Sequence, residues 1–483
     1  MKRLYVTTAI DYVNSTPHLG HAYEKITTDA VARWHRLDGD DVRFLTGTDE
    51  NASKNARAAK DAGKPVQAFV DEMAARFLEL CKTLNVSYDD FIRTTEERHR
   101  KVVQSIFQRL YEQGDIYKGK YDGLYCYGCE AFYLEKDLKG GKCPIHGTPP
   151  ERVSEESYFF RMSAYQKRLL DYYEKHPDFV LPKARMNEMV NRIKEGLKDL
   201  SVSRHNIEWG IPVPFDDKHK IYVWLDALLN YVTALGYPDG KDYKKYWPAD
   251  YHFIGVDINW FHSVIWPCVL MALDVELPKH VFVHGFINIG GEKMSKTRGI
   301  VVDPFDLAKR YGTDQVRYFL LREMPFGEDG DFSEDILKRR INGELAADLG
   351  NLVNRVLTLA ERSATFKGEP ELGLPDFKKI NACMERLELH HALEAIFAYV
   401  KSVNKYVNDK EPWKLQGDAL DHVLYNLLEA LRMISILISP FMPEAAEKIN
   451  KQLGVKAGAF ADLKFKPFAG KPKRGELLFQ RVV

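Results

Sequence analysis

The first fifty residues constrain the fold most, because a strand, a helix and a second strand follow one another there with only short connections. The run RLYVTTAI alternates and is rich in β-branched residues, HAYEKITTDAVARWHRLDG carries apolar residues at helical spacing, and VRFLTGTD has the pattern of a second strand. Such a strand, helix and strand predict a right-handed crossover between parallel strands. We therefore predict an α/β protein built on a parallel sheet.

The same strand pattern returns in the second half of the chain. β-rich runs occur at KIYVWLDA, YHFIGVDI and HVFVHGFI, so the region from about 116 to 215 is predicted to be an insertion carried on a crossover. After about residue 345 the patterns LHHALEAIFAYVKSVNKYVN and LDHVLYNLLEALRMISILI are amphipathic over many turns, and strand signals almost disappear. This last region is predicted to form a helix bundle.

Length and charge limit the functions to be considered. A chain of 483 residues is long enough for about two to four domains. Lys plus Arg equals Asp plus Glu at 69 each, so any nucleic-acid contact must come from a local surface. The sequence has no run of 18 apolar residues and no signal-peptide core, which favours a cytoplasmic protein without a membrane segment.

Four soft metal ligands stand together in the stretch CYGCEAFYLEKDLKGGKCPIH. Cys126 and Cys129 form a CxxC, and Cys143 and His146 form a CxxH after thirteen intervening residues. Two such knuckles can close a tetrahedron around Zn²⁺, and four protein ligands leave no position for a reacting water. We predict one structural zinc ion and expect the catalytic residues elsewhere; the alternative is a set of reduced cysteines beside a fortuitous histidine.

Two further motifs have the chemistry needed to hold phosphates. In TPHLGHAY, His18, Gly20 and His21 follow the first strand and open the first helix, where phosphates bind in nucleotide folds. Taken alone, this motif is equally compatible with solvated or capping histidines. In IGGEKMSKTRG, Lys293 and Lys296 lie on a glycine-flanked loop and could neutralise the β- and γ-phosphates of ATP.

Together and in this order, the two motifs resemble the signatures of class I aminoacyl-tRNA synthetases. Within that class the segments AIDYVNSTPHLGHAY, FLTGTDE, YVWLDALLNY, FHSVIWP and NKYVNDKEPW resemble the methionyl-tRNA synthetases, over almost the whole chain. The single knuckle also resembles the one-zinc members of that family. A large editing insertion, as in the leucyl, isoleucyl and valyl enzymes, does not fit within the insertion of about a hundred residues.

The resemblance implies a set of site residues. For phosphate chemistry it implies His18, His21, Lys293 and Lys296 as catalytic residues, and Gly20, Asp257 and Lys296 as ATP-binding residues. For methionine it implies a pocket formed by Ile10, Tyr12, Asp49, Trp224, Ala227, Leu228, Tyr231, Ile258 and His262. For the anticodon it implies Asn351, Arg355 and Trp413.

The resemblance also implies the reaction and the domains. Methionine is joined to tRNA(Met) through a methionyl-adenylate, with ATP and Mg²⁺ as reactants and with AMP and pyrophosphate released. The expected protein is a monomer, because the chain stops without the extra oligonucleotide-binding domain of many dimeric relatives. The expected domains are a Rossmann-type catalytic domain in two halves (1–115 and 216–290), a connective insertion with the zinc knuckle (116–215), the KMSKS loop and stem-contact region (291–345), and a helical anticodon-binding domain with a C-terminal tail (346–483).

The sequence departs from the usual family pattern at several positions. Asn51 and Ala52 stand where many members carry His and Gly, Val256 replaces a usual Lys, Leu228 a frequent Pro, and Thr297 a Ser. Two other hypotheses stay open: another class I synthetase such as the cysteinyl enzyme, and a catalytically silent paralogue that binds zinc and RNA. The second is disfavoured, because a binding module has no chemical need for the paired histidines and lysines.

Overall fold

The computed structural model describes residues 2–129, 131–133, 135–205, 207–293 and 301–483. Lys296 and Thr297 lie outside these residues. No helix in the described part of the chain combines the length and apolar character needed to cross a membrane.

The strands of the described residues are β1 (Arg3–Thr8), β2 (Asp11–Tyr12), β3 (Asp41–Asp49), β4 (Asp90–Arg93), β5 (Ile116–Cys126), β6 (Ala131–Tyr133), β7 (Glu151–Phe160), β8 (Val180–Leu181), β9 (Leu200–Ser201), β10 (Ser203–His205), β11 (Pro212–Val213), β12 (Asp216–Ile221), β13 (Tyr251–Gly255), β14 (His280–His284), β15 (Ile287–Ile289), β16 (Glu292–Lys293) and β17 (Gly330–Phe332).

The helices are α1 (Leu19–Leu37), α2 (Ser53–Asp61), α3 (Val66–Thr83), α4 (Glu97–Glu112), α5 (Gln166–Lys175), α6 (Lys183–Lys194), α7 (Val223–Leu228), α8 (Asn230–Thr233), α9 (Lys241–Tyr246), α10 (Trp266–Ala272), α11 (Pro304–Tyr311), α12 (Thr313–Glu323), α13 (Glu334–Arg340), α14 (Asn351–Ala360), α15 (Phe377–Glu385), α16 (Leu389–Lys410), α17 (Gly417–Ile438) and α18 (Pro443–Leu453). Turns of π-helix precede α10 at Phe261–Ile265 and α14 at Ile341–Gly350.

A parallel sheet forms the centre of the first half of the molecule. Its strands lie in the order β4, β3, β1, β13, β14 and β8, all parallel, and β2 extends the β1 side along the end of β3. β1 and β3 pair from Arg3 with Asp41 to Thr7 with Leu45, and α1 crosses between them. The parallel pair predicted from the first fifty residues is therefore confirmed.

Most strands of the insertion form a separate antiparallel sheet. β5 and β7 pair along their whole length, and β6 and β9 extend this sheet. Within the range 116–215, however, β8 pairs with β14 at the edge of the parallel sheet. One strand of the region predicted to be an insertion, β8, therefore belongs to the parallel sheet.

The run KIYVWLDA is the place where the strand prediction is wrong. Only β12 is a strand there, it belongs to a small antiparallel sheet with β10 and β11, and the following residues form α7. All six residues of α7 are buried. A short apolar run that is buried on every side has no periodicity that distinguishes a helix from a strand.

The last part of the chain is a helix bundle, as predicted. Helices α14 to α18 share one apolar core, and the longest of them, α16 and α17, have 22 residues each. Pro440 follows α17, and Pro443 opens α18 at a position where proline costs no helical hydrogen bond.

One buried arginine joins the bundle to α1, the helix that crosses between β1 and β3. The guanidinium of Arg317 on α12 is fully buried, donates to the carbonyls of Leu84, Pro440 and Phe441 at 2.9–3.0 Å, and lies 2.8 Å from a carboxylate oxygen of Asp29 on α1. Burial alone would raise the pKa of Asp29, but Arg317 and Arg33 hold that pKa below its usual value. The ionised pair therefore fastens α1, the end of α3 and the turn before α18 to one another.

We expect Arg317→Met to lower the free energy of unfolding by about 3–5 kcal/mol, because it leaves a buried carboxylate and three carbonyls without their donor. The thermal midpoint, followed by circular dichroism, measures this loss. Arg310→Met is the matched control, since Arg310 forms exposed ion pairs with Asp306 and Glu334 and its loss should cost under about 1 kcal/mol. Equal effects of the two changes would contradict the role given to Arg317.

Candidate active site

The histidines of the HLGH motif form a closed cap on the first helix. His18 is the N-cap of α1; its Nδ1 accepts from the backbone N of Gly20 at 3.1 Å, and its backbone N donates to Nδ1 of His21 at 3.0 Å. The two rings stack with centroids 3.7 Å apart. In a neutral imidazole that accepts through Nδ1, the proton is on Nε2. The motif therefore presents two N–H donors at the positive end of the α1 dipole.

Charged side chains lie buried directly behind this cap. Asp11 forms a buried ion pair with Lys25, and its second oxygen is 4.0 Å from Nε2 of His21. Glu24 accepts from Nε2 of His284 at 3.1 Å. Burial raises the pKa of Asp11 and of Glu24, although the neighbouring cations oppose that shift. These pairs were not predicted from the sequence. The signal that could have revealed them is the adjacent charged pair Glu24 and Lys25, which stands between the apolar residues Tyr23 and Ile26 of α1.

The predicted ATP residue Asp257 faces the same edge of the sheet. It lies in the short turn Val256–Ile258 that follows β13, and a Cβ placed on Gly255 would come within 2.8 Å of its carboxylate and 3.7 Å of the ring of His284. Gly255 thus allows Asp257 and His284 to approach. Because His284 binds Glu24 of α1, Asp257 is connected to the helix that carries HLGH.

Of the KMSKT motif, the structure describes only Lys293. Lys293 ends β16, which pairs with β15, while Lys296 lies outside the described residues. Beyond that segment, the carbonyl of Val302 accepts from the backbone N of Leu19 at 3.2 Å. The chain that follows the motif is therefore hydrogen-bonded to the turn that carries the two histidines.

The structure brings the predicted aromatic residues of the methionine pocket together. Tyr12 and Trp224 meet edge to face at 5.9 Å, Trp224 stacks on Phe261 at 3.6 Å, and the Trp224 and His262 rings are 6.5 Å apart. The remaining predicted members lie on the following elements: Ile10 after β1, Asp49 at the end of β3, Ala227 and Leu228 on α7, Tyr231 on α8, and Ile258 after β13. Phe261, which was not predicted, is part of the same aromatic cluster.

His262 is held in one protonation state. Its Nδ1 donates to the carbonyl of Ile258 at 3.0 Å, so Nε2 must accept the hydrogen of the Tyr231 hydroxyl at 2.7 Å. The Tyr5 hydroxyl in turn donates to the Tyr231 carbonyl at 2.9 Å. Burial lowers the pKa of His262 to about 4. The pocket therefore presents a neutral, polarisable wall of a kind that suits a thioether.

The four predicted metal ligands converge at the tip of the insertion. The three sulfurs and one ring nitrogen of Cys126, Cys129, Cys143 and His146 lie within 4.8 Å of one another. The Cys129 and Cys143 sulfurs are 3.5 Å apart, and Nδ1 of His146 is 3.2 Å from the first and 3.9 Å from the second. A tetrahedral Zn²⁺ with ligand bonds of about 2.0–2.3 Å needs edges of roughly 3.4–3.8 Å. The donor set therefore fits zinc bound through Nδ1 of His146.

This cluster touches the aromatic pocket directly. The indole Nε1 of Trp224 donates to the backbone carbonyl of Cys129 at 3.3 Å. A ligand of the metal cluster thus holds the ring that lies between Tyr12 and Phe261. The contact joins two segments 95 residues apart, so no local pattern in the sequence indicates it.

Two of the three predicted anticodon residues meet at the end of the bundle. The Arg355 guanidinium lies 5.8 Å from the ring centroid of Trp413 and donates to the side chain of Asn408 at 3.1 Å. Trp413 is 45% exposed, although Arg362 fixes its turn by donating to the Trp413 carbonyl at 3.3 Å. Asn351 is exposed one turn before Arg355 on α14. An exposed aromatic ring on a fixed turn, beside a guanidinium, is a suitable surface for stacking single-stranded bases.

Comparisons with known proteins agree on one family. A family model described as tRNA synthetases class I (M) matches residues 4–147 and 133–357, and a model of the anticodon-binding domain of tRNA ligase matches 376–473. The methionine–tRNA ligase of Caldanaerobacter subterraneus is 50% identical, covering 100% of this chain and 79% of that protein. That of Brucella suis is 48% identical, covering 97% and 95%. The structure of Mycobacterium tuberculosis methionyl-tRNA synthetase in complex with methionyl-adenylate matches with a TM-score of 0.94 at 41% identity and covers 100% of both chains.

The hydrogen bonds of His262 predict how this ring titrates. Its NMR signals should move with a midpoint near pH 4, whereas an ordinary histidine titrates near 6.5. Tyr231→Phe removes a donor that stabilises the neutral ring, so the midpoint should rise. A wild-type midpoint near 6.5, or an unchanged midpoint in the variant, would contradict this assignment.

Proposed function

The chain belongs to the methionyl-tRNA synthetase family of class I, and from that premise we propose how its residues divide the work of charging tRNA with methionine. The protein is a methionine–tRNA ligase, and its substrates are ATP, methionine and tRNA. One observation supports this assignment of residues. The HLGH motif, Asp49 and His262 all lie at or after the carboxyl ends of strands of the parallel sheet, at the same edge.

Adenylate formation needs no nucleophile from the protein. The carboxylate of methionine attacks the α-phosphate of ATP, and pyrophosphate leaves, so catalysis consists of positioning and of stabilising charge. His18 and His21 would donate to the phosphates through Nε2, and Gly20 admits the nucleotide close to the turn. Lys293 and Lys296 would neutralise the leaving pyrophosphate, which Mg²⁺ accompanies. The placement of Val302 beside Leu19 supports this role, because it ties the chain after the KMSKT motif to the histidines.

Methionine would bind between a carboxylate and an apolar wall. Asp49 lies buried at the end of β3, next to Tyr12 in register, and a carboxylate there can hold the substrate ammonium by a charge-assisted hydrogen bond. Trp224, Tyr231 and His262 would surround the thioether, which is bound by dispersion and sulfur–aromatic contact. Asp257, in the turn after β13, would hold the ribose of ATP.

The metal would be a structural Zn²⁺. Its four ligands would be Cys126, Cys129, Cys143 and His146. Because these ligands fill the tetrahedral coordination, the ion would cross-link the two knuckles and would have no position for a reacting water. The knuckle's own contribution to the active site is the Cys129 carbonyl, which fixes the Trp224 ring.

tRNA would be read by the bundle and charged at the sheet. Trp413 would stack on an anticodon base, and Arg355 and Asn351 would donate to base edges of the CAU anticodon. The 2′-hydroxyl of the terminal adenosine would then attack the methionyl-adenylate, releasing AMP.

We also propose that the protein acts as a monomer in the cytoplasm. Sedimentation velocity tests the oligomeric state, and cell fractionation tests the localisation. The predicted domain boundaries stay predictions, which limited proteolysis tests.

Amino-acid-dependent exchange of pyrophosphate into ATP tests the activity. Exchange should require methionine, and the charged product should form only with tRNA that carries the CAU anticodon. Exchange driven by another amino acid, or no exchange by folded protein, would overturn the proposal.

Two substitutions should separate the two steps. Trp413→Ala should lower aminoacylation by about 10- to 100-fold, since stacking on one base contributes about 1–3 kcal/mol, and should leave methionine-dependent exchange intact. Lys296→Ala should cripple exchange itself. Leu374→Ala and Lys309→Ala are the matched controls, because each truncates an exposed residue of similar character away from the proposed contacts. Equal loss of both activities in Trp413→Ala would make this residue structural, and normal exchange in Lys296→Ala would remove that lysine from the mechanism.

Removal of zinc should weaken methionine binding before it affects phosphate chemistry. Loss of one hydrogen bond to Trp224 should raise the dissociation constant for methionine by about two- to tenfold. Tryptophan fluorescence and calorimetry on the metal-depleted, folded protein measure this change, and added Zn²⁺ should reverse it. A folded, depleted enzyme that binds methionine normally but no longer forms adenylate would contradict the structural role.

A further inference from the structure

Asp226 is the one charged residue of α7, and both oxygens of its carboxylate are engaged away from solvent. One oxygen lies 2.6 Å from Nε2 of His99, and the other accepts from the side-chain amide of Asn51 at 2.8 Å. Asp226 and His99 are fully buried, and Asn51 is 8% exposed. A buried carboxylate without such partners would be costly, so these bonds fix where α7 can lie.

The contacts continue into the neighbouring elements. Nδ1 of His99 is 2.7 Å from the hydroxyl of Thr233, the last residue of α8. The amide of Asn51 also donates to the backbone carbonyl of Thr94 at 3.1 Å. The network therefore binds α7 and α8 to the segment after β3, the segment after β4 and the first turn of α4.

The position of α7 cannot come from the helix itself. Its six residues are too few to form a stable helix alone, so tertiary contacts must set its place. α7 carries Trp224, Ala227 and Leu228 of the proposed methionine pocket. Asn51 follows by two residues Asp49, which is proposed to bind the substrate ammonium. The Asn51–Asp226 hydrogen bond thus links the segment after β3 to α7.

We propose that Asn51, Asp226 and His99 are positioning residues that set the distance between the carboxylate of Asp49 and the apolar wall on α7, and thereby the affinity for methionine. The inference rests on the proposed function. It also gives a role to Asn51, which departs from the histidine common in the family. The primary amide suits this role, because its one nitrogen donates to both a carboxylate and a carbonyl.

The test is the substitution Asn51→Asp, which sets a carboxylate against Asp226 and against the Thr94 carbonyl. The KM for methionine in pyrophosphate exchange should rise by about 10- to 100-fold, as expected for the loss of a hydrogen bond to a charged group. The KM for ATP should stay within about twofold. The double variant Asn51→Asp with Asp226→Asn exchanges amide and carboxylate across the same contact, so it should recover part of the methionine affinity.

Asn426→Ala is the structural control. Asn426 is fully buried in the bundle and bonds to the backbone of Glu371, Leu372 and Glu369. Its loss should lower the thermal midpoint and leave the KM for methionine unchanged. Thr233→Val removes the bond to His99, together with a 3.3 Å hydrogen bond to the carbonyl of Asn230 within α8. This variant remains informative if Asn51→Asp does not fold, and its KM for methionine should rise by about three- to tenfold.

The outcomes separate this inference from the proposed function. A wild-type protein without methionine-dependent exchange refutes the proposed function itself. With an active wild type, the inference is overturned if folded Asn51→Asp and Thr233→Val keep a normal KM for methionine. It is also overturned if the KM values for ATP and methionine rise together, or if the double variant recovers nothing.

Discussion

The buried guanidinium of Arg317 is the constraint on which the arrangement of the two halves depends. An arginine cannot lose its charge inside a protein, so burying it requires a complete set of acceptors. Asp29 supplies the charge, and the carbonyls of Leu84, Pro440 and Phe441 supply the rest. These acceptors belong to α1, the end of α3 and the turn before α18. The helix that opens with His18 and His21 is thereby fastened to the bundle proposed to read the anticodon.

The same kind of constraint shapes the proposed methionine pocket on a smaller scale. α7 is too short to place itself, and two hydrogen-bonded anchors place it: the Asp226 carboxylate and the indole of Trp224, which donates to Cys129. The partners of Asp226 lie after β3 and on α4, and the partner of Trp224 is a predicted metal ligand. The predicted metal site is far in sequence from α7, yet its backbone contacts the ring proposed to bind the thioether.

Prediction from sequence succeeded where the pattern is local. The knuckle ligands lie within 21 residues, the β1–α1–β3 unit within fifty, and the amphipathic pattern of α16 within one helix. It was wrong at KIYVWLDA, because burial on all sides removes the periodicity that separates strand from helix. Phe261, Lys25 and His284 were missed as parts of the site, because their roles depend on partners from other elements.

The sequence by itself determined the family, the donor types and the order of the elements, since these follow from residue identity and short spacing. Only the tertiary structure decided the tautomer of His262, the contact of Trp224 with Cys129 and the partners of Asp226. Each of these joins atoms of separate segments, up to 175 residues apart in the case of Asn51 and Asp226. Burial and hydrogen-bond satisfaction select such pairs only when the chain is packed, and no local pattern encodes them.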